Sequence, residues 1–184
     1  GPGNALLDDF IRKKISLAFD KNGIHASKGL INTTLIDTFF QNSYFSKNYP
    51  KSLDRHSFDD FFSIFLKKEM SLEDGLATLT NITVKCISNS IKSLPKKLKS
   101  IVVCGGGYNN TFLKNQLEEN LNLKILNPNL INLKNDFVEA EMIAYLSCRS
   151  LYKLPITFPE TTGVKKPITG GKLINYKKPL TSLI

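Results

Sequence analysis

The chain has 184 residues, with 25 Lys+Arg against 16 Asp+Glu, a formal net charge of +9 and 41% hydrophobic residues. That hydrophobic share is too high for a disordered chain, and the length suits one domain or two small ones. Apolar runs fall short of the roughly 20 residues of a bilayer span, no signal segment opens the chain, and Cys86, Cys104 and Cys148 lack the number and spacing of a disulfide framework or a zinc site, which together point to a reducing cytoplasm.

Residues 4–19 read as a helix, with Asn4 as N-cap, Asp8 and Asp9 in the first turns, and Leu6, Leu7, Phe10, Ile11 and Ile15 at helical spacing. Lys21-Asn22-Gly23 ends it. A shorter helical pattern covers 31–41, and a polar loop containing Pro50 covers 46–57. Residues 58–68 predict a helix with Phe58, Phe61, Phe62 and Phe65 on one side, a core face. Ser71 opens a long helix, with Asp74 as its acidic capping partner, that runs to about Leu94 and stops at Pro95.

The second half changes character. Ser100 to Cys104 is short, apolar and mostly β-branched, and Gly105-Gly106-Gly107 follows, a pattern that fits a buried strand. A helix over 110–120, with Phe112, Leu113 and Leu117 as its apolar face, leads to a second short strand at 123–126, closed by Pro128. This strand–turn–helix–strand unit predicts a parallel pair. A helix over 138–152 comes next, and the Pro- and Gly-bearing tail from Leu154 reads as largely irregular. Two strands do not make a stable sheet by themselves, so the reading leaves either a mostly helical domain or a sheet completed by strands elsewhere.

The cationic charge is nearly all lysine, arginine occurring only at Arg12, Arg55 and Arg149. Arginine carries most bidentate contacts to bases and phosphates. The dispersed lysines therefore read as a solvated surface, with a minor share in attracting a small anion, rather than as a nucleic-acid or membrane face.

Among candidate sites, the Gly105-Gly106-Gly107 turn has the right context for a ligand. It joins a strand to a helix, its backbone can be approached closely, and the helix N-terminus offers N–H groups to an anion. No GK[ST] follows, and Asn110 breaks a GxGxxG pattern, so the alternatives are nucleotide contact and a tight structural turn. Asp136 and Glu139 are spaced as a capping box, and either they cap the helix or a carboxylate there accepts hydrogen bonds from sugar hydroxyls. Arg55 and His56 sit in a charged loop best read as salt-bridged. His25 is isolated, and the two histidines lack metal-ligand spacing. Cys86 and Cys148 fall on apolar helix faces and read as buried thiols.

Several stretches together resemble the C-terminal part of the anhydro-N-acetylmuramic acid kinase family. They are Gly1-Pro2-Gly3-Asn4-Ala5-Leu6-Leu7-Asp8, Pro50-Lys51-Ser52 with Arg55, Ala77-Thr78-Leu79-Thr80, Val103-Cys104-Gly105-Gly106-Gly107, Val138-Glu139-Ala140, and Leu154-Pro155 with Thr162-Gly163. They occur in the family's order over nearly the whole chain.

The resemblance implies an α/β fold, a partial actin-like lobe of the sugar kinase and Hsp70 type, helix-rich with a small sheet. It implies ATP with Mg2+ as cofactors and a reaction that opens the 1,6-anhydro ring of anhydro-N-acetylmuramic acid and phosphorylates the sugar in cell-wall recycling. By the same resemblance Gly105, Gly106 and Gly107 form the nucleotide-binding turn, Glu139 contacts the substrate, and Gly1, Pro2, Gly3 and Asn4 form a turn at the cleft. No metal ligand is carried over, and no role is carried onto the Arg55 loop, where Asp54 replaces the family's glycine. The family's first phosphate loop and catalytic aspartate lie upstream of the Gly1–Asn4 match. Residues 1–184 are therefore expected to be a C-terminal lobe without a catalytic residue, inactive alone. The alternative is an interaction module or half-enzyme that needs a separate N-terminal chain, or a homodimer.

Overall fold

In the computed structural model, which describes residues 1–51, 53–135 and 137–174, helix α1 spans Ala5–Ile15. It buries Leu6, Leu7, Phe10 and Ile11 and ends at Ser16, whose left-handed backbone (φ 59°) stops it short of the expected residue 19. Asn4 does not cap it through its side chain. Past Ser16 the chain turns outward, leaving Leu17 and Phe19 exposed, and then makes short 3-10 turns at Lys21–Gly23 and Ala26–Lys28. Buried Asp20 holds this segment, its carboxylate accepting from the His25 N–H at 3.1 Å and the Ala26 N–H at 2.9 Å.

Helix α2 (Thr33–Phe40) is capped by Asn32, whose side-chain oxygen accepts from the Leu35 N–H at 3.1 Å. A 3-10 turn at Arg55–Phe58 takes up the end of the expected loop, and α3 (Asp59–Leu66) follows. His56 Nδ1 in that turn lies within hydrogen-bond distance, 3.0 Å, of the carboxylate of Asp59 at the start of α3. Phe58, Phe62 and Phe65 are buried, with the Phe58 ring on Phe39 (centroids 5.2 Å apart), the Phe65 ring on Phe10 (5.4 Å) and the Phe62 ring stacked on Phe65 (6.5 Å).

The axis of the first part is α4 (Leu72–Lys92), which packs on α1, α2, the Ala26–Lys28 turn and α5 (Thr111–Leu121). Ser71 caps it, its hydroxyl oxygen accepting from the Asp74 N–H at 3.0 Å. Asp74 does not complete a reciprocal box. Its carboxylate instead accepts from the Leu30 N–H at 2.6 Å and ties the preceding loop to α4. Gly75 lies inside this helix, where glycine costs about 1 kcal/mol relative to alanine. A Cβ there would collide with the Phe10 ring, so the exchange lets α1 and α4 approach closely.

Strands β1 (Ser100–Val102) and β2 (Lys124–Leu126) pair in parallel, Ile101 opposite Ile125, with α5 between them in the chain. Both are half-buried rather than fully buried, because the sheet has only two strands among the described residues. Val84 on α4 and Leu113 and Leu117 on α5 form a second core cluster, with Val103 and Ile125 packed against it.

The fold divides into two compact units, Gly1–Val138 and a second that begins at Glu139. Helix α6 (Val138–Leu151) buries none of its residues, and Cys148 is exposed, contrary to the buried thiol expected from its pattern. The periodicity is present, but within its own unit the face is left exposed. Asp136 lies outside the described residues, and the expected capping pair with Glu139 lies there with it. The described part of the tail, residues 154–174, is mostly irregular. A short helix, α7 (Pro159–Thr162), stands beside an antiparallel bridge of Thr157 with Ile168, and the Ser150 hydroxyl donates to the Gly170 carbonyl at 2.5 Å. No described helix is long and apolar enough to cross a membrane.

Candidate functional site

Two segments separated by about a hundred positions meet at a cavity of about 360 Å³. Asn4, Leu7 and Asp8 at the start of α1 form one wall. Phe19 to Asn22 form a second, and Gly106, Asn109 and Asn110 a third. The volume is near the lower end of the range for small-molecule sites.

The glycine turn is a 3-10 segment, Gly105–Asn109. Gly105 has φ +72°, a left-handed backbone that a side chain would strain. Gly106 and Gly107 are a different case. A Cβ built on Gly106 would meet Asn4 Nδ2 alone, at 3.9 Å, and one on Gly107 would meet Asn4 Nδ2, Leu113 Cδ2 and Val103 Cγ1, each at 3.8 Å, all ordinary contact distances. Protein packing therefore does not demand glycine at these two positions. The bare backbone edge beside the cavity is what a closely approaching ligand would use.

Asn4 belongs to the site because of how the turn before it is held. The Gly3 carbonyl accepts from the Thr83 hydroxyl at 2.8 Å, which fastens residues 1–4 to α4. The side-chain amide of Asn4, not spent on capping α1, lies near the glycines. Asn110 caps α5 by accepting from the Leu113 N–H at 3.0 Å. One of the N–H groups expected to be open to an anion is thus already bonded.

Of the residues singled out by sequence, the structure brings Asn4 and Gly106 together. Gly105 and Gly107 flank Gly106 in the same turn. Gly1 and Pro2 line other depressions, Gly1 one with Lys47 and Lys51 and both a shallower one with Leu53 and Phe58. Glu139 is exposed at the start of α6 in the second unit. Sequence reasoning missed Phe19, Lys21, Asn22 and Asn109. Phe19 fell inside an expected helix, and a lone aromatic or asparagine carries no motif. Asp8 was read only as a complement to the helix dipole, although it also faces the cavity.

The lining includes no histidine, cysteine or serine, and its carboxylates are those of Asp8 and of Asp20, the latter bonded to the His25 and Ala26 N–H groups. Leu7 and Phe19 give an apolar surface, the asparagines give amides that both donate and accept, and Lys21 gives one cation. Among the described residues no group of three His, Cys, Asp or Glu is placed to hold a metal ion. These residues therefore do not form a preformed Mg2+ cage. Away from the cavity, burial pushes the Cys86 thiol up to about 11. The Glu73 carboxyl is held below its usual range by its backbone N–H bond and by His25, 3.3 Å away.

Against known proteins, residues 1–176 match the family model described as anhydro-N-acetylmuramic acid kinase. Curated relatives of that name include one from Zymomonas mobilis, 38% identical over 173 residues, covering 94% of this chain and 46% of the relative. One from Agrobacterium fabrum is 39% identical over 177 residues, covering 95% and 46%. One from Rhodopseudomonas palustris is 39% identical over 174 residues, covering 94% and 46%. The chain spans about half the length of the curated relatives it matches.

Proposed function

Because the chain belongs to the anhydro-N-acetylmuramic acid kinase family, we propose that it supplies the nucleotide-binding part of a kinase that opens the 1,6-anhydro ring of anhydro-N-acetylmuramic acid and phosphorylates the sugar with ATP. The setting would be cell-wall recycling in the cytoplasm. On this reading residues 1–184 are the C-terminal lobe of an actin-like, two-lobed enzyme.

The observation that carries the proposal is the open edge of Gly106 beside Asn4 on the cavity wall, where a Cβ would meet no close neighbour. The turn gives backbone N–H groups to the nucleotide, and the Asn4 amide beside that edge adds a side-chain donor and acceptor. Glu139 takes the substrate role its family match suggests, as an acceptor for sugar hydroxyls. Bound ATP supplies the phosphoryl group. Mg2+, which keeps much of its water and binds through phosphates, would arrive with it rather than occupy a site built by these residues. General-base chemistry needs a carboxylate within hydrogen-bond reach of the attacking water. The family's base matches no residue of this chain.

The test is titration of the 184-residue chain with ATP beside an assay for phosphorylated sugar. Binding without turnover is expected. Phosphorylation of the anhydrosugar by the chain alone would sink the proposed division of labour, and absence of ATP binding would sink the site.

A second reading, a half-enzyme that pairs with an N-terminal chain or a second copy, is favoured by one feature. The two-stranded parallel sheet offers unpaired strand edges. Mixing with the N-terminal half of the Zymomonas mobilis relative should then produce both a larger species on size exclusion and sugar phosphorylation.

A further inference from the structure

We propose that Phe19 is the platform on which the nucleobase stacks in the cavity beside the glycine turn, an assignment that rests on the nucleotide reading above.

Phe19 is 59% exposed, although it is large and apolar and lies on the wall of a cavity. Core packing does not account for it. The reversal at Ser16 takes it off the buried face of α1, and its neighbours then fix where it goes. On the C-terminal side Asp20 is anchored through both carboxylate oxygens to the His25 and Ala26 N–H groups. Three residues further on, Gly23 seats the lip against the start of α5. A Cβ there would stand 2.5 Å from Phe112 Cβ and 2.6 Å from Asn110 Oδ1. The backbone that carries Phe19 is therefore held on its C-terminal side at Asp20 and Gly23, which fixes where the ring is presented to a ligand. Rigid presentation of an aromatic face is what stacking rewards.

The surroundings fit a base rather than a bare anion. Leu7 extends the apolar surface, while Asn22 and Asn109 offer amides that can match the donor–acceptor edge of a base. Lys21 is the one cation among the lining residues, and the Asp8 and Asp20 carboxylates line the same cavity, a balance that suits a neutral nucleoside better than a bare triphosphate. Stacking of a base on an aromatic side chain corresponds to roughly a tenfold change in affinity or more.

The experiment compares three probes, ATP, adenosine and inorganic tripolyphosphate, on the wild-type chain and on Phe19→Ala, Phe19→Leu and Phe19→Trp. Phe19→Ala should weaken ATP and adenosine about tenfold or more and leave tripolyphosphate unchanged. Phe19→Leu, which keeps apolar bulk without a ring, should do the same in smaller measure, and it carries the test if the alanine variant does not fold. The chain contains no tryptophan, so Phe19→Trp introduces a single indole that should retain binding and be quenched by adenosine. Unchanged adenosine affinity in both Phe19→Ala and Phe19→Leu would overturn the assignment and leave the nucleotide site standing. Binding of tripolyphosphate without adenosine by the wild type would also overturn it. Absence of binding for all three probes would overturn the nucleotide reading and the stacking role together.

Discussion

At the scale of single residues, the glycines of the turn divide by physical cause. Gly105 answers to a backbone angle, whereas Gly106 answers to empty space. Gly106→Leu should therefore leave the melting temperature within about 3 °C of wild type, since about 1 kcal/mol moves a chain of this size by roughly 2–4 °C, yet weaken ATP binding at least about tenfold. A large thermal loss with intact binding would show that the position serves packing after all. Cys86 supports a different expectation. Its folded-state value of about 11 lies above the ordinary 9.0, with burial as the main cause. The neutral thiol is favoured in the folded chain, so its contribution is complete below about pH 9 and is lost as pH rises toward 11. The size is on the order of 2 kcal/mol. Denaturant midpoints at pH 8 and pH 10.5 should fall less in Cys86→Ala than in wild type, and parallel declines would contradict the assignment.

At the scale of elements, α4 carries a buried polar stripe with two kinds of member. The Thr83 hydroxyl donates to the Gly3 carbonyl, whereas the Thr80 and Ser88 hydroxyl oxygens are buried without a hydrogen-bond partner. Removing a satisfied buried hydroxyl costs about 1 kcal/mol or more, while replacing an unsatisfied one by an apolar isostere is neutral or stabilising. Thr83→Val should therefore lower the unfolding free energy by about 1–2 kcal/mol and loosen the turn that holds Asn4, with Thr80→Val at or above wild type. Equal effects in urea titrations would refute the distinction. The same helix illustrates what could be read in advance. Ser71 as cap and the long apolar period were legible because both are local signals. The destination of the Asp74 carboxylate was not, because Leu30 reaches it only through tertiary folding. The end of α1 was equally hidden, since a serine in the left-handed region has no side-chain signature. That one backbone angle decides where Phe19 goes, so one wall of the cavity could not be foreseen. The other walls were legible through the resemblance, which marked Asn4 and the three glycines without showing that they meet.

At the scale of the whole molecule, both core clusters lie in the first unit, and none of the residues of α6 or α7 is buried. Folding cooperativity should follow the buried apolar surface. Residues 1–138 produced alone should unfold in one cooperative transition, with a midpoint close to that of the full chain. A non-cooperative melt of the shorter chain would mean that the second unit contributes to the core. On the proposed function ATP should raise that midpoint in both chains, since the cavity is lined by residues of the first unit, and the shorter chain, which lacks Glu139, should lose sugar binding.

The hundred-residue gap between Asn4 and Gly106 also has a consequence in time. A chain emerging from the ribosome presents Asn4 about a hundred residues ahead of the third wall, which does not exist until Asn110 has been made. Closing so long a loop is an entropic step that local helices do not share. A ligand of this cavity can therefore select finished chains, adding its binding free energy only once both ends of the loop have met. Its presence during refolding should accumulate native molecules without hastening the helices that form first.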